Sequence, residues 1–386
     1  MMAEKMNEKI KYFLIIFGML FILFAILIFR NYPLGVDSYD YLSLVFGKQD
    51  EVKGKGFLIN WIFSQMHTDF LSWNLNVIIF LIAIFASICL IGYFLKFEYW
   101  FLIPFGLFIS IFFPAMLLQF EPINIGLLFG FVGVGLFFVE KKKISITQIF
   151  LFLSGFLIWQ GTALFFIPLA FLERQYIIFG FLTLLLGWSS IFANIFPNVL
   201  IQERIPFIGL IFLISLLFNY SSEKGLFQFK CHPDLKPFCL IFGFLGLLSA
   251  KFMLLAIPFF AINSVWNMNK EKILTYLFVS FIGFMAIVYF LLTSAMPTTM
   301  QIEAVKNVID YSVDGNVQND WDYGHWIKFF GGNPSARYGG IPENQLKNFA
   351  CDSRPILTRF DLNSQFDLTQ TYGGMKIYEC KKFFGR

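Results

Sequence analysis

The chain has 386 residues, of which 58% are hydrophobic and only 14% charged, whereas an average soluble domain is about a quarter charged. Its 55 phenylalanines exceed what a soluble core buries, and a lipid bilayer is the solvent that accepts so much apolar surface. The net charge of +4 is small, and the lysines and arginines sit in short clusters between apolar runs; that pattern argues against a nucleic-acid partner and for anchors flanking membrane helices.

Lys5, Lys9 and Lys11 precede an apolar run over residues 12–29. The run is too long for a signal peptide and no small-x-small cleavage site follows it, so it reads as a retained first helix with a cytoplasmic N-terminus. The polar loop over 30–72 then lies outside and contains GVDSYDYL. Asp37 and Asp40 stand three apart there, on one side of a helical turn. Carboxylates just past a membrane helix suit Mg²⁺ or Mn²⁺, which prefer oxygen ligands; the plainer alternative is a solvated loop.

Further apolar segments run over 73–95, 100–118, 122–139, 146–172, 176–195, 206–219, 237–249, 252–266 and 273–294, each read as helical and most as spanning. Lys96 and the run Lys141, Lys142, Lys143 mark inner ends. Glu121, in QFEPIN, sits between two helices at the outer side with almost no loop; an ionisable group at such depth is functional, or snorkels to the interface. The stretch 146–172 reads as one crossing or as two short helices around Trp159, Gln160 and Gly161. Two short helices put Arg174, the loop with Lys224, Lys230 and Lys236, and the pair Lys270 and Lys272 inside, and residues after 294 outside. This is the preferred reading, with about eleven crossings.

Two more outer-face features stand out. Glu203 and Arg204, in LIQERIP, lie between helices, where neighbouring charges can simply pair with each other. Lys251, in SAKFMLLAIP, begins a helix, where it either meets a lipid phosphate as a point charge or snorkels to headgroups.

Residues 295–386 differ in kind, with Asp, Asn, Gly and Arg at soluble density and no spanning run. The chain is therefore divided into a membrane core over 1–294 and a small extracytoplasmic α/β domain over 295–386. Cys351 and Cys380, in that domain, can bridge if it faces an oxidising compartment. Cys89 reads as inert packing, Cys231 and Cys239 bracket a polar loop, and no Cys or His spacing points to zinc. The run from Asp320 to Trp326 holds three aromatic rings, two carboxylates and an imidazole in seven residues, which makes either a recognition surface or ordinary domain core.

WDYGHWI resembles the WWDYG signature of the catalytic subunit of oligosaccharyltransferase, the enzyme of protein N-glycosylation. In that family the signature lies in a C-terminal domain outside the membrane and recognises the hydroxyl residue of an Asn-x-Ser/Thr acceptor. GVDSYDYL resembles the first outer-loop acidic motif of the family, and QFEPIN stands where the second belongs. LIQERIP resembles the fifth-outer-loop motif whose glutamate contacts the acceptor asparagine, and SAKFMLLAIP the stretch with an Arg-Phe near the lipid-linked phosphate. The chain departs from the family at Asp320, which stands for the first Trp of the signature. It departs also at Lys251, which stands for Arg, in having one carboxylate in the second acidic motif, and in its shorter length.

The resemblance implies a C-type glycosyltransferase fold and transfer of a glycan from a polyisoprenyl-linked (pyro)phosphate donor to an acceptor peptide. Asp37 and Glu121 would hold Mg²⁺ or Mn²⁺, Glu203 or Asp37 would orient the acceptor amide, and Lys251 and Arg204 would face the phosphate. Trp321, Asp322, Tyr323, Gly324 and His325 would hold the acceptor. A nearer rival moves a single sugar from a polyisoprenyl monophosphate to a lipid or glycan. A rival of another class is a non-catalytic scaffold or a transporter, although transporters place ionisable residues at mid-membrane rather than at one face.

Overall fold

The structure, a computed structural model, describes residues 2–30, 32–35, 38–48, 57–65, 69–110, 112–181, 185, 220–223, 226–248, 250–293, 295, 297–335, 349–372 and 374–382. The chain divides into two compact units, Met1–Leu27 with Leu75–Leu292 and Ile28–Asn74 with Thr293–Arg386. The shift to soluble composition thus falls at a unit boundary. The polar loop that follows the first helix groups with the C-terminal residues.

The described chain is mostly helical: α1 (Met2–Phe29), α2 (Ser38–Val45), α3 (Phe57–Ser64), α4 (Phe70–Phe94), α5 (Ile103–Ile109), α6 (Phe112–Leu117), α7 (Pro122–Val139) and α8 (Ile146–Ile158). There follow α9 (Phe166–Leu172), α10 (Lys236–Leu248), α11 (Ala250–Trp266), α12 (Lys270–Thr293), α13 (Thr299–Tyr311) and α14 (Trp321–Phe329). Among the described residues four helical stretches are long and apolar enough to cross a membrane: Lys9–Phe29, Phe70–Phe94, Pro122–Val139 and Lys270–Thr293. They coincide with four of the apolar runs read from sequence.

The expected helix over 100–118 is not one helix. Ser110 is extended (φ −93°, ψ 101°) and separates α5 from α6. Pro114 explains the break. In a continuous helix it would be an interior proline, without an N–H and clashing with the preceding turn, at about 3 kcal/mol. A restart at Phe112 puts it in the first turn, where the missing N–H costs little.

The segment over 146–172 is a helical hairpin. α8 ends at Trp159, which is extended (φ −141°, ψ 112°), and a 3₁₀ turn over Gln160–Phe165 leads into α9. Gln148, near the start of α8, donates to Glu140 Oε2 at 2.7 Å and accepts from the Tyr176 hydroxyl, just past the end of α9. The two ends of the segment therefore meet, and the chain between them goes out and returns. At 1.5 Å per residue α8 is about 20 Å long, short of the ~30 Å hydrocarbon core. Such half-length helices persist where protein covers their turn. Here α7 does so: Thr162 Oγ1 donates to the Gly126 carbonyl at 3.1 Å, and the absent side chain of Gly130 leaves room for the Phe165 ring.

Phe131, Phe165, Phe238, Phe242 and Phe259 join the hairpin to α10 and α11, with Phe238 stacked on Phe259 at 4.3 Å. Part of the phenylalanine excess is thus protein core and part is the outward face of the spans, where Phe13, Phe21, Phe278 and Phe281 are exposed. A short antiparallel hairpin, β1 (Tyr220–Glu223) and β2 (Leu226–Phe229), precedes α10.

In the second unit five strands form a mixed sheet of order β4-β3-β5-β7-β6: β3 (Asn316–Asn319), β4 (Asn333–Pro334), β5 (Ile356–Thr358), β6 (Phe366–Tyr372) and β7 (Met375–Cys380). β3 runs parallel to β4 and β5, and β7 antiparallel to β5 and β6. Together with α13 and α14 this makes the C-terminal part a small α/β assembly. α13 starts at a capping box, in which Gln301 N–H donates to Thr298 Oγ1 and Thr298 N–H to Gln301 Oε1. It buries Ile302, Ala304, Val305 and Val308, one stripe of helical period. A Cys351–Cys380 disulfide closes the sheet beside Ile356, Phe366 and Tyr378.

Candidate functional site

WDYGHWI folds as the first seven residues of α14, and the end of GVDSYDYL as the first turn of α2. The two helices pack within the second unit. Tyr39 of α2 is fully buried, edge-on to Trp326 (6.2 Å) and Phe329 (5.2 Å) of α14. Burial raises the Tyr39 phenol above its ordinary value, so it stays protonated, and its hydroxyl donates to the Pro33 carbonyl at 3.4 Å. Phe46 packs edge-on to Phe329 from the other end of the pair.

A polar contact crosses this aromatic seam. His325 Nδ1 lies 2.9 Å from Asp40 Oδ1, with 5% and 8% of the two side chains exposed. The helical repeat explains the arrangement: Tyr39 and Ser43 pack along one turn of α2, and Asp40, one position on, is carried towards α14 beside them. A buried carboxylate is costly unless polar groups stand beside it, and the imidazole is one such group here.

Both ends of α14 are tied down. At its C-terminus Lys48 Nζ donates to the Phe329 carbonyl at 2.6 Å and lies 4.0 Å above the Phe329 ring, a cation at the negative end of the helix dipole. Partial burial lowers the Lys48 pKa. At its N-terminus Asp320 is 1% exposed. Its carboxylate accepts from Thr358 Oγ1 at 2.8 Å and from the Arg359 N–H at 3.0 Å. Its own N–H donates to the Leu357 carbonyl. Asp320, the departure from the WWDYG pattern, therefore pins the start of α14 to the end of β5.

The remaining expected site residues are distributed as follows. Tyr323, Gly324 and His325 are buried, Tyr323 against Trp326 at 5.6 Å. Trp321 and Asp322 are the first two residues of α14, and Lys251 is the second residue of α11, with their side chains outside the described ones. Glu121 belongs to the first unit and is the N-cap of α7, extended at φ −134°, ψ 164°, with Pro122 behind it. The residue is half-buried at the N-terminal end of that helix. Asp37, Glu203 and Arg204 lie outside the described residues.

Among the described residues no group of three or more His, Cys, Asp or Glu side chains is arranged to hold a metal ion. Asp40, the described carboxylate of the first acidic motif, stands beside His325. Sequence reasoning singled out Asp40 and His325 in separate motifs but did not pair them. It missed Tyr39 and Lys48, which hold α2 and α14 together. An aromatic residue beside an acid inside a loop otherwise rich in Asp, Gly and Ser was the available signal.

No protein-family model matches the chain, and no curated protein matches it.

Proposed function

We propose that this chain is a membrane glycosyltransferase that moves a glycan from a polyisoprenyl-(pyro)phosphate donor to an acceptor at the outer membrane face. The observation that carries the reading is the packing of the GVDSYDYL helix on the WDYGHWI helix through Asp40 and His325. These are the two segments that the resemblance assigns to donor and acceptor chemistry, and they belong to one compact unit. The proposed orientation has a cytoplasmic N-terminus and an extracytoplasmic C-terminal unit. The Cys351–Cys380 bridge supports it, since such bridges persist in oxidising compartments.

In this reading Asp37 and Glu121 hold Mg²⁺ or Mn²⁺, whose charge would neutralise the departing phosphate. Lys251 and Arg204 add fixed positive charge there. Glu203 orients the acceptor, and Trp321 and Asp322 lead the helix that meets it.

Burial of Tyr323 and His325, and the structural engagement of Asp320, favour a second reading. In it the acceptor is a lipid or glycan, and the donor a polyisoprenyl monophosphate sugar. One experiment separates the two. Purified protein is given a pyrophosphate-linked glycan with an Asn-x-Thr peptide, or a monophosphate-linked sugar with lipid acceptors, each with and without divalent cation. Cation-dependent product in the first mixture, lost in Asp37→Ala and Glu121→Ala, is the expected result. Product only in the second selects the other acceptor class. No turnover in either, or full transfer by Asp37→Ala, rejects the enzyme as assigned.

A further inference from the structure

Three of the four apolar spans end at one place in the first unit. Lys9 opens the span Lys9–Phe29, Lys96 follows the end of Phe70–Phe94, and Lys270 opens Lys270–Thr293. These three lysines line a single cavity of about 1000 Å³, with Glu98 as the one acidic residue among the described lining ones. The cavity therefore sits at the level where spans leave the hydrocarbon, among headgroups. Its walls have the matching character: Tyr12, Tyr99 and Trp100 supply amphipathic rings, and Leu274 and Leu277 supply an apolar floor.

Two details distinguish it from a scatter of snorkelling lysines. Lys9 is held over the Phe101 ring at 5.7 Å, and Tyr12 stacks on that ring at 5.5 Å, so the cation and the wall are built together. Lys96 occupies the left-handed position ending α4 (φ 59°), as Lys141 and Lys142 do after α7, so what sets Lys96 apart is that it lines the cavity beside Lys9 and Lys270.

We infer that this cavity binds the headgroup of an anionic phospholipid, its phosphate between Lys9, Lys96 and Lys270 and its first acyl methylenes on Leu274 and Leu277. Among the described lining residues, three lysines against one glutamate leave two net positive charges for one phosphodiester. At a headgroup that corresponds to a preference of roughly tenfold or more over a zwitterionic lipid. The inference uses only the ends of the spans and does not depend on what the chain catalyses.

The full chain, purified in neutral detergent, is titrated with phosphatidylglycerol and with phosphatidylcholine and read by native mass spectrometry. Phosphatidylglycerol should bind at least tenfold tighter. The preference should vanish in Lys9→Gln/Lys96→Asn/Lys270→Gln and persist in Lys141→Gln/Lys143→Gln, whose lysines lie off the cavity. Inorganic phosphate should not displace the lipid, because it lacks the acyl chain. Equal binding of the two lipids overturns the inference, as does a preference that survives the triple substitution. Displacement by phosphate overturns the lipid as the ligand. The unaltered chain offers a test that needs no variant to fold: brominated phosphatidylglycerol should quench tryptophan emission more than brominated phosphatidylcholine does, through Trp100. Equal quenching overturns the inference as well.

Discussion

Removing either member of the Asp40–His325 pair should destabilise the second unit, and by unequal amounts. The two side chains are 8% and 5% exposed, so solvent screens the contact little. His325→Ala takes the imidazole away from a buried carboxylate, and breaking a buried pair in this way costs about 3–5 kcal/mol. Asp40→Ala takes a carboxylate away from the buried imidazole and leaves no charged group stranded by the substitution itself. Its cost is that of an under-satisfied polar group and a small cavity, about 1–3 kcal/mol. For a unit of this size the first change should lower the unfolding midpoint by roughly 10 °C or more and the second by about half as much. The double substitution Asp40→Leu/His325→Phe should recover most of the loss, because a hydrophobic replacement of both partners removes the desolvation problem. Heating the full chain in detergent, with limited proteolysis and mass spectrometry of fragments from residues 293–386, reads this unit specifically. Equal single-variant costs, or a double variant whose loss is the sum of the singles within about 0.5 kcal/mol, would refute the reasoning.

Asp320→Ala should cost about 2–4 kcal/mol by the same assay, since it strips the Thr358 hydroxyl and the Arg359 amide of their acceptor. Asp320→Trp, which would complete the WWDYG pattern that the segment resembles, should destabilise as well; a neutral result would mean the site is open. Gly283→Ala should lower the thermal stability of the first unit by about 1–3 kcal/mol, because its Cβ would meet the Phe108 carbonyl, backbone that cannot swing aside. Gly18→Ala, with no atom near its Cβ, should be neutral or slightly stabilising; labelling of buried Cys89 on heating reads both. His232 lies between the rings of Phe97 and Trp266, and burial is the main cause that lowers its pKa, with Asp234 opposing and Lys142 assisting. The unfolded chain then takes up the proton first. Stability is full above the ordinary value of about 6.5 and is lost as pH falls from there through the lowered folded value. The midpoint of the native chain should drop on acidification, and His232→Gln should flatten that slope; parallel pH curves for the two would count against it.

What the sequence made legible follows from the range of the forces involved. Spans such as Pro122–Val139 rest on local hydropathy and appear where the apolar runs are. The hairpin over 146–172 was readable because the positive-inside pattern on both sides constrained how often the chain could cross. The break at Ser110 was written in Pro114, but hydropathy alone passes over a proline in an apolar run. The capping box at Thr298 and Gln301 is likewise local. The contacts that assemble α2 with α14 are of another kind: Lys48 and Phe329 are 281 residues apart, and no periodicity in either segment selects the other.

Asp320 shows what this distinction means for a motif. By sequence it is the position at which the segment departs from the WWDYG pattern it resembles. In the fold it is a buried acceptor that fastens α14 to β5. At the opposite end Lys48 fastens the same helix, and along its length Tyr39 and Asp40 hold Trp326 and His325. A helix anchored at both ends and along one face is positioned to within the tolerance of its core, which is what a recognition element requires of its support. The residues that hold WDYGHWI are therefore separable from those that would meet an acceptor. A variant such as Lys48→Met should lower stability and leave acceptor selectivity unchanged. A substitution at Trp321 or Asp322, the leading residues of the helix, should do the reverse.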